Sequence, residues 1–324
     1  MKKYVPRVSI VIPLYNAGTF IIECIESILQ QTFEDFEIII VNDCSTDRSV
    51  EFVQRYSDSR IRLIHNSQNL GANITRNVGI EHSHGEFIFF MDADDVMLPK
   101  MLETLIQAIE ESKAEVVHMN QYFVSKSVDE IGVNRVYNPT PRFFDENLPQ
   151  RLHDEFVLYG CDIVPWVKIQ RRDFLVDKKI RFPETTREGD TLFHLAELCL
   201  ARKILMIDTL GYVHRLHSGN LMQSSAENQL REAIYSIPIA TEYMEKLFSR
   251  QDLISQLPIV NRILTEAHMI RHFFGIFILP AYLGELNPKR IDDILLELVE
   301  DSDRRLMFHT LAAYLIQLDN ATQH

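Results

Sequence analysis

Apolar positions recur along the first third of the chain in two alternating rhythms. Residues 8–15 (VSIVIPLY) form a β-branched run that ends in turn chemistry and predicts a strand. The stretch after it places Phe20, Ile21, Cys24, Ile25, Ile28 and Leu29 on one face at helical spacing. A second strand is expected over residues 36–43 (FEIIIVND). It opens into CSTDRSVEFVQRY, where Ser45, Thr46 or Asp47 can cap a helix that buries Val50, Phe52 and Val53. The alternation continues with a strand at 60–66 (RIRLIHN), the polar loop SQNLGAN and a helix through Arg76, Asn77 and Ile80. Then come a strand in EFIFFMDADD, a helix after Pro99 and a fifth strand at 114–119 (AEVVHM).

Strands separated by helices predict an α/β fold with a mostly parallel, Rossmann-like sheet flanked by helices, its central strands apolar throughout because both faces are covered. Ligands of such sheets bind beyond the carboxyl ends of the strands, which gathers residues 13–16, 42–43 and 92–95 around one crevice. After about residue 120 the pattern loosens. Residues 124–150 are polar and carry Pro139, Pro141 and Pro149, as expected of an extended or mobile loop. Order resumes from DIVPWVKI onward, with a helix expected from about Thr191 to Ala201. From Glu227 the chain reads as helices, HMIRHFFGIFILPAYLG being the most apolar part. The expected organisation is two halves of one domain, 1–120 and 121–225, and a helical C-terminal region, 226–324.

Composition narrows the functional classes. A chain of 324 residues with 46% hydrophobic content can bury a large core, and its formal net charge of −13 argues against nucleic acid as a partner. Cys24, Cys44, Cys161 and Cys199 are scattered with no CxxC pair, so neither a zinc site nor a disulfide framework is expected and a reducing, cytoplasmic setting is the simplest reading. No stretch reaches the roughly 20 apolar residues of a spanning helix, which leaves peripheral contact as the expected mode of any membrane association. The apolar C-terminal segment reads as a buried helix pair broken at Pro280, a homodimer contact or a lipid-facing surface.

The chemistry concentrates at the end of the fourth strand. Asp92, Asp94 and Asp95 repel one another when all are ionised, unless a cation or sugar hydroxyls offset the charge. Such carboxylates suit Mg²⁺ or Mn²⁺, ions commonly held by one or two protein oxygens while phosphates complete the shell; a capped turn before Pro99 is the alternative. Asp43, with Asn42, can accept hydrogen bonds from a nucleobase or ribose, or simply open a helix capped by Asp47. In NLGANITRNVG, Gly71 and Gly79 allow close backbone approach, and Arg76 is a cation near phosphate or the acidic cluster, against the plainer reading of a polar loop before a helix.

Taken together and in order, VSIVIPLYN, CIESILQQTFEDFEIIIVND with CSTD, NLGANITRNVG and FIFFMDADD resemble the nucleotide-binding half of the family 2 glycosyltransferases of GT-A fold. The resemblance is strong over residues 6–115 and continues through PWVKIQRRDFL, IRFPETTREGDTLF and YVHRLHSGNLM, as in bacterial members that build surface polysaccharides such as capsule or lipopolysaccharide. It implies metal-dependent, inverting transfer of a sugar from a nucleoside diphosphate, usually UDP-linked, to a glycan or lipid-linked glycan acceptor. Carried over by position, Asp43 would hold uracil, Pro13, Tyr15 and Asn16 would flank the base, and Asp92 with Ala93 would touch the ribose. Asp94 would ligate the metal, with Arg76 nearby, and the catalytic base would be Asp190, whose plainer reading is an N-cap. Of His214, Arg215 and His217, His217 is the metal candidate and Arg215 the diphosphate candidate, against a surface or packed role for each.

Three departures from the family pattern stand out. Glu188-Gly189-Asp190 replaces the usual Glu-Asp, Cys44 stands where glycine is common, and Val167 replaces a frequent polar residue in PWVKI. Trp166, Lys168 and Glu188 remain acceptor-side candidates, Trp166 being equally a core residue. Two other classes compete. One is a non-catalytic sugar-nucleotide-binding protein; the other is a nucleotidyltransferase, against which the loop PLYNAGTF lacks any lysine or arginine.

Overall fold

The computed structural model describes residues 5–125, 133–136, 142–144, 164–184, 189–217 and a few positions between 235 and 250. Beyond residue 226 only those few positions of the expected helices are described, and Glu188 lies outside the described residues. The chain divides into two compact units, one of Met1–Glu184 with Gly189–His217, the other of Thr185–Glu188 with Ser218–His324.

The first unit is built on one ten-stranded sheet. Strands β1 (Val8–Leu14), β2 (Phe36–Asn42), β3 (Ile61–His65) and β4 (Phe87–Phe90) lie in the order β3-β2-β1-β4, all parallel. Helices α1 (Phe20–Leu29), α2 (Ser49–Val53) and α3 (Gly71–His82) connect them. Every residue of β2 is buried, as a central parallel strand requires. Beyond β4 antiparallel strands join the sheet, which is mixed there. Strand β9 (Lys168–Arg171) runs antiparallel between β4 and β6 (Val116–Ser125). Strand β10 (Ile204–Arg215) lies parallel to β6, and β5 (Val96–Met97) antiparallel to β10. Strand β7 (Val133–Val136) pairs with β6 and β8 (Arg142–Phe144) with β10, both antiparallel. The expected fifth strand at 114–119 is the start of β6, separated from β4 by the inserted β9.

Period-two alternation sorts β1 between the two faces. Val8, Ile10, Ile12 and Leu14 pack with Ile21, Cys24, Ile25 and Ile28 of α1 and with the buried face of α4 (Met101–Ser112). Val11 points to the other face, where α3 sits so close that a Cβ on Gly79 would lie 2.2 Å from the Val11 Cγ1. Close approach is thus the reason for glycine at 79. Gly71 differs: its surroundings are open and its φ of +80° is what favours glycine. On the α3 face, Phe90 meets Phe182 and Phe193 edge-on, Phe193 belonging to α6 (Gly189–Leu200), while Phe182 and Phe193 stack. A short helix, α5 (Arg172–Asp177), follows β9.

The amino ends of the strands are tied by Glu37, whose side chain is 9% exposed. It accepts hydrogen bonds from Ser9 Oγ and the His84 backbone N–H, both 2.7 Å, and from Arg62 at 2.9 Å. Burial pushes its pKa up, but these donors outweigh burial and hold the carboxyl below the ordinary 4.5.

Candidate functional site at the carboxyl edge of the sheet

The carboxyl ends of β1, β2 and β4 stand side by side, and the sheet order reverses direction at β1, the place where α/β sheets open a crevice. The loops after β1 and β2 are laced together. Asn16, at φ +49°, accepts hydrogen bonds on Oδ1 from the backbone N–H groups of Thr46 (2.8 Å) and Asp47 (3.3 Å). Tyr15 is exposed beside it and Pro13 half-buried. Asp47 Oδ1 accepts from the N–H of Ser49, the first residue of α2, while the N-cap position itself is Arg48 and makes no side-chain cap hydrogen bond, unlike the expected cap at 45–47. Asp43 is buried against the start of α3, its carboxylate accepting from the N–H groups of Leu70 and Gly71 and from Asn66 Nδ2, each at 2.8 Å. Cys44, next to it, has φ +61°, the left-handed region that favours glycine.

Past β4 the three aspartates separate in role. Asp95 is fully buried and accepts from Tyr212 Oη–H (2.8 Å), Arg215 N–H (2.8 Å) and His214 Nδ1 (3.2 Å). Tyr212 in turn accepts from Asp92 N–H at 3.2 Å, so β10 fastens the acidic turn at two points. Burial raises the Asp95 carboxyl to about 6, and the hydrogen bond with His214 only partly opposes it. Burial would lower His214, but the Asp95 hydrogen bond and charge outweigh it and lift the imidazole to about 8. Asp95 is therefore an anchor of the turn.

Asp94 and His217 face one another, His217 Nε2 lying 2.7 Å from Asp94 Oδ2 while its ring stacks on Phe20 with centroids 4.5 Å apart. Arg215 is only 3% exposed. Its guanidinium reaches Glu23 at 2.7 Å and the Phe20 carbonyl at 3.2 Å, and its Nε donates to the Asp94 carbonyl, so it braces α1 against the acidic turn. Asp92 pairs with Arg76, Nη2 to Oδ1 at 2.8 Å. The same buried guanidinium reaches Asp190 Oδ1 through Nη1 at 3.3 Å, across 114 positions of sequence. Asp190 lies in the first turn of α6.

Carboxylate oxygens of Asp92, Asp94 and Asp95 lie within 4.8 Å of one another, the only such cluster among the described residues. Their partners decide which could hold a cation. Asp95 is engaged by three donors and Asp92 by Arg76, which leaves Asp94 with the adjacent His217 as an oxygen and nitrogen donor pair. That set fits a divalent cation whose shell is completed by ligand oxygens.

The profile of the family described as Glycosyl transferase family 2 matches residues 9–164. The chain is 32% identical over 226 residues to the glycosyltransferase GlyG of Streptococcus pneumoniae serotype 4, a stretch covering 67% of this chain and 73% of that protein. The chain belongs to glycosyl transferase family 2. A second family member, the uncharacterized glycosyltransferase EpsJ of Bacillus subtilis, is 34% identical over 232 residues, 68% of this chain and 64% of EpsJ. The fold of this family 2 member is shared with S. aureus TarS 1–349 in its structure with UDP-GlcNAc, at TM-score 0.59 and 23% identity over 95% of this chain and 87% of that one.

Two expected acceptor-side residues lie in the interior of this glycosyltransferase. Trp166 is 4% exposed, stacked on Tyr212 at 4.4 Å and on His214 at 5.4 Å. Lys168 is fully buried on β9, donating to His194 Nδ1 at 2.7 Å and paired with Glu197 at 3.3 Å. Trp166 sits in the turn of Pro165–Val167 that leads into β9, and Lys168 lies on β9 itself between β4 and β6. Tyr212, Asn73 and Phe20 were missed in the sequence. Their roles come from contacts across more than a hundred positions or from a single helical turn, and no local pattern announces them.

Proposed function

We propose that the protein transfers a sugar from a uridine diphosphate sugar to an acceptor hydroxyl, with inversion at the anomeric carbon, in the synthesis of a bacterial surface glycan. The observation that carries this reading is Arg76, one buried cation holding Asp92 of the donor-side acidic turn and Asp190 of α6 together at the crevice. The solved TarS structures named as complexes with UDP and with UDP-GlcNAc support the uridine donor.

In this reading Asp43 has three of its four acceptor positions filled by Leu70, Gly71 and Asn66, and the fourth is left for the uracil N–H. Tyr15 and Asn16 border the base and Asp92 the ribose. A divalent cation held by Asp94 and His217 would supply Lewis-acid stabilisation of the departing diphosphate. Asp190 takes the proton of the acceptor hydroxyl as its oxygen bonds to the anomeric carbon. The bond from that carbon to the diphosphate breaks in the same displacement, and UDP leaves with the electron pair. Arg76 orients the Asp190 carboxylate for this transfer, and no covalent nucleophile is needed.

The test is UDP release from a panel of UDP-sugars in the presence of Mn²⁺, with and without chelator. Turnover of at least one donor, abolished by chelation, is expected. No release from any donor, or release indifferent to chelation, would contradict the reading.

A further inference from the structure

Gly189 opens α6 immediately before Asp190, and its φ is not in the left-handed region, so backbone conformation does not demand glycine there. Space does. A Cβ on residue 189 would lie 2.0 Å from Asn73 Nδ2, 2.4 Å from its Cγ and 2.6 Å from its Oδ1. Any side chain at 189 and the Asn73 carboxamide therefore compete for one volume.

The carboxamide fills that volume with a purpose visible in its contacts. Asn73 is buried in the first turn of α3, three residues before Arg76 and hence on the same helix face. Its Oδ1 accepts from Arg76 Nη1 at 3.3 Å, the same nitrogen that reaches Asp190. Arg76 Nε is buried without a hydrogen-bond partner, so the rotation of the guanidinium is set by its two Nη groups, through Asp92, Asn73 and Asp190. The plane is further steadied by Phe182, whose ring centroid lies 5.4 Å from the guanidinium carbon.

We infer that Asn73 and Gly189 are a matched pair that positions Arg76 and, through it, the Asp190 carboxylate. Asn73 is the positioning residue, and the missing side chain at 189 makes its place available. The inference deepens the proposed reaction and rests on the reading of Asp190 as its base.

Three variants and one cycle test it. Asn73→Leu keeps most of the volume and removes the acceptor. It is expected to lower kcat about 10-fold while UDP affinity stays within about two-fold of wild type, because a group acting on the base moves kcat and not donor binding. Gly189→Ala is expected to lower kcat in the wild-type background and to have little further effect on top of Asn73→Ala, where the competing carboxamide is gone. Wild-type kcat in Asn73→Leu, or an equal penalty for Gly189→Ala in both backgrounds, would overturn the inference. If the wild type turns over no donor, the reaction itself is refuted and crystal structures decide the positioning claim separately. An Arg76–Asp190 pair lost in Asn73→Leu and kept in the wild type supports it; a pair kept in both overturns it.

Discussion

At the scale of single residues, the crevice is held by side chains whose conformations carry a cost. Cys44 takes a left-handed backbone at φ +61°, which disfavours a non-glycine residue by about 1–2 kcal/mol, against an unfolded-state entropy cost of about 0.5–1 kcal/mol for glycine. Cys44→Gly is therefore expected to raise stability by about 0.5 kcal/mol, read as a higher urea midpoint with an unchanged slope. His217 is a residue whose neighbourhood was partly legible. Its place after the acidic motif suggested a ligand, and its 2.7 Å approach to Asp94 brings the two donors together. His217→Ala is expected to weaken Mn²⁺-dependent UDP binding roughly 10-fold or more by calorimetry, with metal-free UDP binding unchanged. Arg215 and Lys168 have protein partners that the sequence does not announce. A cation in a motif reads as a free donor until the structure supplies Glu23 for one and Glu197 with His194 for the other.

At the scale of elements, β1 to β4 and α1 to α3 were legible because each is amphipathic or apolar at its own period, and each connects to its neighbour by a short turn. β9 was not. KIQR carries two cations and a glutamine, yet it lies in the middle of the sheet between β4 and β6, with Lys168 and Gln170 fully buried. His194 and Glu197 meet the Lys168 ammonium, and a pattern of apolar positions cannot register such partners. The seam between α3 and β1 depends on Gly79, where a methyl group would enter the Val11 side chain at 2.2 Å. Gly79→Ala is expected to destabilise the fold by about 2 kcal/mol through overpacking, measured by urea unfolding. At the amino edge, Glu37 holds β1, β2 and the turn at His84 together. Its folded pKa is lowered, so its contribution is complete above the unfolded value near 4.5 and is lost as pH falls through the lower folded value. Glu37→Gln is expected to cost about 2 kcal/mol at pH 7, a gap that narrows only below about pH 4.5; an equal gap at pH 3 and pH 7 would contradict the assignment.

At the scale of the whole molecule, the fold works by bringing distant stretches of chain to one edge of a sheet. The parallel half delivers Asp43, Arg76 and the acidic turn, while β10 and α6 return to fasten that turn and to add His217 and Asp190. Sequence motifs announced these groups one at a time. That Arg76 joins the acidic turn to Asp190 follows only from the folding of α3 and α6 onto the same face of the sheet. Among the described residues no helix is long and apolar enough to cross a membrane. The central claim is that this convergence makes a transfer site with Asp190 as its base, and the most direct measurement is donor turnover by Asp190→Asn beside wild type, with UDP affinity measured for both. The expected result is a fall in kcat of about 100-fold or more with UDP affinity unchanged. Asp190→Asn turning over at the wild-type rate would contradict it.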